Sequence, residues 1–285
     1  MIRNILFPID FSAACAAMAP FVKRAASITS AKVTLLHVLE AAGSGFELYV
    51  RPPREVEEDL KIVAREKLNS FLESEFTGVD THRLLVAGDP AAAIARVARD
   101  AGFDVIVMPT HAGVFRRMLL GSTTAKVLND ADAPVFTTQH AETIAPRHIE
   151  HREWVCAVGL QEDSPRVVRY ATQAAETFRT NLTLVHAIAS GEPGLPVELD
   201  LEQRVQSAAR QAALQRIEEL QRAVGSHAPV RIAVGPIKDA LIEAARRLEA
   251  DVLVIGRSPE LGACGRLRDL TYAVVRDAPC PVLSV

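Results

Sequence analysis

The chain has 285 residues, of which 24% are charged and 5% aromatic, with a net charge of −3. That balance argues against a nucleic-acid surface, which draws on a basic excess or on stacking platforms, and the length accommodates two domains. No apolar run approaches the roughly 20 residues that span a bilayer, and no charged-then-apolar leader opens the chain. Cys15, Cys156, Cys264 and Cys280 have neither metal nor redox spacing. The expectation is a reduced, cytoplasmic protein that touches no membrane.

In chain order, a continuous apolar strand is expected at 5–9 and a helix at 13–27, then a β-rich run at 32–38. An irregular stretch at 41–53 follows, either a lid or a plain loop. A long helix is expected at 55–75, where Val56, Leu60, Val63, Leu68 and Leu72 recur at helical spacing. A strand at 82–86, a helix at 90–101, a strand at 104–108, a helix at Ser122–Asp130 and a strand at 134–138 complete the first half. Apolar strands alternating with helices imply a parallel sheet covered on both faces.

The second half repeats the first. LLHV at 35–38 recurs as LVHA at 184–187, and VAGDP at 86–90 as AVGPI at 233–237. DVIVM at 104–108 recurs as DVLVI at 251–255, and DAPVFT at 132–137 as APCPVLS at 278–284. Ordered matches at a half-chain period mean domain duplication. The domains are read as 1–140 and 154–285, joined by a polar linker at 141–153, and the second long helix is expected near 201–224. The linker region carries His140, His148 and His151, read as solvated rather than metal-binding.

In an open parallel sheet, ligands sit beyond the carboxyl ends of the strands where strand order reverses. The positions to inspect are therefore Pro8 and Asp10 after the first strand, His37 and Val38 at the second, and the loop from Met108 and Pro109 onward. There Gly121 precedes Ser122, Thr123 and Thr124 at a helix start. Small residues, first-turn amides and the helix dipole together favour an anion, and Arg116 and Arg117 lie just upstream. The plainer alternative is Ser122 as an ordinary N-cap. His37 and His186 occupy matching places, which favours a structural role. Cys15 is read as a small buried residue rather than a reactive thiol.

The motifs FPIDFS, LLHV, GDP before a helix, and PTHAGVFRRMLLGSTTAKVL before APVF together resemble the universal stress protein family across both halves. The resemblance implies two doubly wound, Rossmann-like α/β domains in tandem, forming a pseudo-dimer through the segments 134–138 and 281–285. It implies ATP, or ADP or AMP, with Mg2+ as a companion ion. Asp10 would contact the ribose or adenine side and Val38 would offer its backbone to adenine. The loop through Pro109, His111 and Ala112 would wrap ribose and phosphates, with Gly121, Ser122, Thr123 and Thr124 holding phosphate oxygens. The family loop runs G-x2-G-x9-G-[ST]; here Pro109 and Ala112 stand at the first two glycine places and the spacer 113–120 is one residue short.

The second copy departs further. Gly159 stands where Asp10 does, Pro259 takes a glycine place, and Arg268 and Asp269 fall opposite Gly121 and Ser122. Its expected role is that of a packing partner with a degenerate site. The functions left open are a nucleotide-responsive stress protein, a ligand-free interaction module and a slow ATPase. A further homodimer fits each of them.

Overall fold

The computed structural model describes residues 2–40, 54–110, 120–138, 151–189, 199–257 and 266–285. The chain divides into two units, Met1–Ile149 and Glu150–Val285.

The first unit opens with β1 (Asn4–Pro8), whose Ile5, Leu6 and Phe7 are fully buried. Helix α1 (Ala13–Thr29) follows, capped by the Ser12 side chain accepting from the Cys15 amide. Then come β2 (Lys32–Leu39), α2 (Arg54–Ser70), β3 (Thr81–Ala87), α3 (Pro90–Asp100), β4 (Val105–Pro109), α4 (Ser122–Asp130) and β5 (Val135–Thr138). The strands lie in the order β3-β2-β1-β4-β5, with the β1–β2, β1–β4, β2–β3 and β4–β5 pairs all parallel. Order reverses between β1 and β4, so a crevice opens there beyond their carboxyl ends. At the opposite end Asp104 ties the two strands together. Its Oδ2 accepts from the Arg3 and Asn4 amides at 2.7 and 2.9 Å.

The second unit repeats this with β6 (Glu153–Ala157), α5 (Ser164–Phe178), β7 (Asn181–Ile188), α6 (Leu199–Val224), β8 (Val230–Val234), α7 (Ile237–Arg247), β9 (Val252–Ile255), α8 (Arg266–Asp277) and β10 (Val282–Ser284). Its order is β8-β7-β6-β9-β10, again parallel in the pairs β6–β7, β6–β9, β7–β8 and β9–β10. Asp251 takes the part of Asp104, its Oδ2 accepting from the Arg152 and Glu153 amides. The duplication extends to unusual backbone. Left-handed residues recur as Phe11 and Leu160, Ser30 and Arg179, and Gly102 and Glu249.

Three expectations shift. The helix expected over 55–75 ends at Ser70, because Arg83 donates from Nε to the Leu68 carbonyl and from Nη2 to the Phe71 carbonyl, and Leu72 turns left-handed at φ 55°. Phe71 and Phe76 can then pack on Phe11 and Phe7. Glu153, read as linker, is the first residue of β6 and hydrogen-bonds Thr183 at 2.6 Å. The helix expected from 201 begins at Leu199. The stretch 41–53 and linker residues 139–150 lie outside the described residues.

Candidate functional site

The turn after β1 is fixed from several sides. His37 Nδ1 lies 2.9 Å from the Ile9 carbonyl. A carbonyl only accepts, so Nδ1 carries the proton. The His37 ring packs against Phe11 at 4.4 Å between centroids, and Phe11 adopts φ 64° to reach it. Lys67 Nζ sits 4.4 Å from the Phe11 ring. In the second unit His186 Nδ1 meets the Val158 carbonyl at 2.7 Å, the same bond in the same place. Both histidines thus anchor the turn that follows the first strand of their sheet.

That turn presents Asp10. Its Oδ1 accepts from the Ser12 amide at 2.9 Å and from the Cys15 thiol at 3.1 Å, and the residue is exposed. Burial works against ionisation, but the hydrogen bonds from Ser12 and Cys15 outweigh it and hold the carboxyl below its usual 3.8. The same geometry acts oppositely on Cys15. Burial, reinforced by the Asp10 charge, pushes its thiol up to about 12. Buried and so shifted, the thiol stays protonated at neutral pH and serves as a hydrogen-bond donor to Asp10.

Val38 stands where a backbone edge is open. Pairing between β1 and β2 ends at Pro8↔Leu36, with the Ile9 amide donating to the Leu36 carbonyl at 2.8 Å. Backbone groups alternate along a strand, so Val38, two residues on, turns its amide and carbonyl the same way, beyond the end of β1. Pro8 and Met108 are buried within the sheet, Met108 opposite Thr137.

At the other wall, β4 ends at Pro109 and α4 begins after Gly121. The Gly121 amide donates to the Thr110 carbonyl at 2.8 Å, so the loop between them is closed at its neck. Thr110 is itself held by Thr138, whose carbonyl accepts from the Thr110 amide and hydroxyl. A Cβ on Gly121 would stand 3.0 Å from the Thr110 oxygen. The close approach that calls for glycine is therefore to the chain itself.

This revises two expected roles. The Gly121 amide is occupied rather than offered to phosphate. The Thr124 hydroxyl, buried, donates to the Pro109 carbonyl at 3.0 Å rather than facing a ligand. The N-cap of α4 is Gly121, not Ser122, and no side chain caps the helix. The amides of Ser122, Thr123 and Thr124 are the ones the helix leaves over, with Ser122 exposed and Thr123 half-buried. These groups suit phosphate oxygens. His111 and Ala112, with Arg116 and Arg117, lie outside the described residues.

The second unit was expected to act as a packing partner with a degenerate site, and a cavity stands at this place. Val158, Gly159, Asp163, His186, Gly256 and Thr271 are among the residues that line a cavity of about 260 Å³ between the ends of β6 and β9. Substitutions scattered through the second half (Gly for Asp10, Asp163 for Ala14) hid it from a reading that looked for the first unit's residues. Among the described residues no cluster of three or more metal-ligating side chains occurs, and no helix is long and apolar enough to cross a membrane.

Two doubly wound α/β domains in tandem, each with its crevice at the strand-order reversal, define the class. A model of the universal stress protein family matches residues 1–139 and 152–285, and the chain belongs to that family. A universal stress protein of Methanocaldococcus jannaschii is 28% identical over 155 residues, 49% of this chain and 96% of its own length. The crystal structure of a universal stress protein from Archaeoglobus fulgidus covers 99% of this chain and 95% of its own, with a TM-score of 0.69 at 20% identity; this likeness is one of fold. A solved universal stress protein in complex with cAMP is 24% identical over 48% of this chain and 97% of its own, with a TM-score of 0.39.

Proposed function

We propose that the first unit binds an adenine nucleotide (ATP, or ADP or AMP, with Mg2+ beside the phosphates) and that the protein works in the stress response as a nucleotide-responsive regulatory or interaction module. The observation that carries this reading is the start of α4. It opens without a side-chain cap at the strand-order reversal, across from exposed Asp10 and the backbone edge at Val38. Phosphates go to the leftover amides of Ser122–Thr124, and the base and ribose to Val38 and Asp10. The thiol that hydrogen-bonds Asp10 is buried, and burial holds it protonated, so the role proposed for Asp10 is ligand contact. Calorimetric titration of the purified full chain with ATP, ADP and AMP, with and without Mg2+, tests it. A saturable heat at or below millimolar nucleotide supports the reading, and none at millimolar ends it.

A second reading, a ligand-free interaction module, is favoured by the occupied Gly121 amide and Thr124 hydroxyl. It expects a melting temperature indifferent to ATP, whereas a ligand bound to the folded state alone must raise it. A slow ATPase is rejected if turnover stays at background in the wild type and in Asp10→Ala alike.

A further inference from the structure

The second unit's crevice keeps the architecture of the first and moves its carboxylate. Gly159 replaces Asp10 after the first strand, and the carboxylate reappears four residues later at Asp163, where the first unit has Ala14. Asp163 is the N-cap of α5, yet its side chain caps nothing. Among the described residues no hydrogen bond or ion pair reaches its carboxylate. It lies over the end of β9, where a Cβ on Gly256 would be 3.1 Å from Oδ2 and 3.0 Å from Val167 Cγ2. Glycine at that position makes room for the acid.

The facing helix has changed as well. Thr271 corresponds to Thr124, and α8 starts at Arg266, three residues earlier than the counterpart of Ser122. Arg268 and Asp269 therefore lie within the first turn of α8, not at a cap, and the leftover amides have moved about 4.5 Å along the axis. The pocket has gained a half-buried carboxylate at the start of α5, while Val167, Leu241, Leu270 and Val274 give it apolar walls. A phosphate there would meet a like charge in a partly desolvated crevice. At about 260 Å³ the cavity falls just under the usual small-molecule range of about 300–1,000 Å³.

From this we infer that the crevice of the second unit is a separate binding site for a compact organic cation: an ammonium group on an apolar body, with Asp163 as counter-ion. The ammonium donates to the Asp163 carboxylate as a charge-assisted hydrogen bond, and the apolar body replaces water against the aliphatic wall. The proposed site requires no nucleotide in the first unit.

The probe is 2-phenylethylamine, with 3-phenylpropanoate as the matched acid, in saturation-transfer NMR and calorimetry on the full chain. The amine is expected to bind in the millimolar range or tighter and the acid not at all. Asp163→Asn, which keeps a good N-cap residue, is expected to weaken the amine at least about tenfold. Leu241→Trp, which fills the cavity, abolishes binding; should that variant misfold, Asp163→Asn still decides. Equal binding of the acid, no amine signal at about 10 mM, or unchanged affinity in Asp163→Asn overturns the inference.

Discussion

Replacing Gly121 with alanine probes the neck of the loop beside the first crevice. Gly121 has φ −58°, so alanine meets no backbone strain, and the whole effect comes from the new methyl group. Its Cβ would stand 3.0 Å from the Thr110 oxygen, which must yield by a few tenths of an ångström. The Gly121–Thr110 bond, now 2.8 Å, stretches with it. Losing most of one backbone hydrogen bond costs about 1 kcal/mol, and overpacking adds about 1 kcal/mol or more. A destabilisation of about 2 kcal/mol lowers the melting temperature by about 4–8 °C in a chain of this size. The same displacement moves the start of α4 away from where phosphate oxygens would be met. Loss of a single charge-assisted hydrogen bond, about 1.5–3 kcal/mol, weakens the nucleotide tenfold or more. Calorimetry and thermal melting of Gly121→Ala measure both. A lower melting temperature with unchanged ATP affinity would place any nucleotide elsewhere, and an unchanged melting temperature would refute the account of the loop neck.

Acid should reveal Asp10. Its folded pKa lies below the usual 3.8, so its stabilising bonds are fully present above that value and are lost as pH falls through the folded value. The stability gap between wild type and Asp10→Ala in urea should therefore hold from pH 7 to 5 and close below pH 4. Cys15 and Cys156, each pushed up to about 12, should resist iodoacetamide in the native protein at pH 8 and react once unfolded; peptide mapping that finds either one alkylated natively contradicts their burial. Glu249 occupies with φ 50° the place that Gly102 holds with φ 63°. Glu249→Gly should stabilise by up to about 1 kcal/mol by relieving the left-handed penalty, and Gly102→Ala, with open space around it, should destabilise by about as much, both read from denaturant midpoints.

The parallel fold was legible because its signals are local. Uninterrupted apolar runs such as ILF before Pro8 and VIVM before Pro109 announce doubly covered strands, and the ordered repeats announce two of them. The start of α4 at Ser122 was likewise readable from Gly121 and the hydroxyl run. What escaped the sequence depends on contacts between distant residues. Arg83 ends α2 from fifteen residues away, and nothing in the helical periodicity through Leu72 foretells it. The partners of Gly121 and Thr124 are the carbonyls of Thr110, just past β4, and Pro109, its last residue, so a motif that reads as open toward a ligand is partly spent on the chain. In the second unit the carboxylate moved from the strand end to the helix cap, a change that becomes visible only when Asp163 is seen over Gly256.

The hydrogen bond that joins Thr110 to Gly121 also isolates what lies between them. With both ends held by the sheet and by α4, residues 111–120 can be lengthened, shortened or rewritten while the scaffold stays unchanged. Even doubling such a segment adds only about 0.6 kcal/mol of closure entropy. A spacer at 113–120 one residue shorter than the family pattern is therefore no obstacle to the bond that closes the neck.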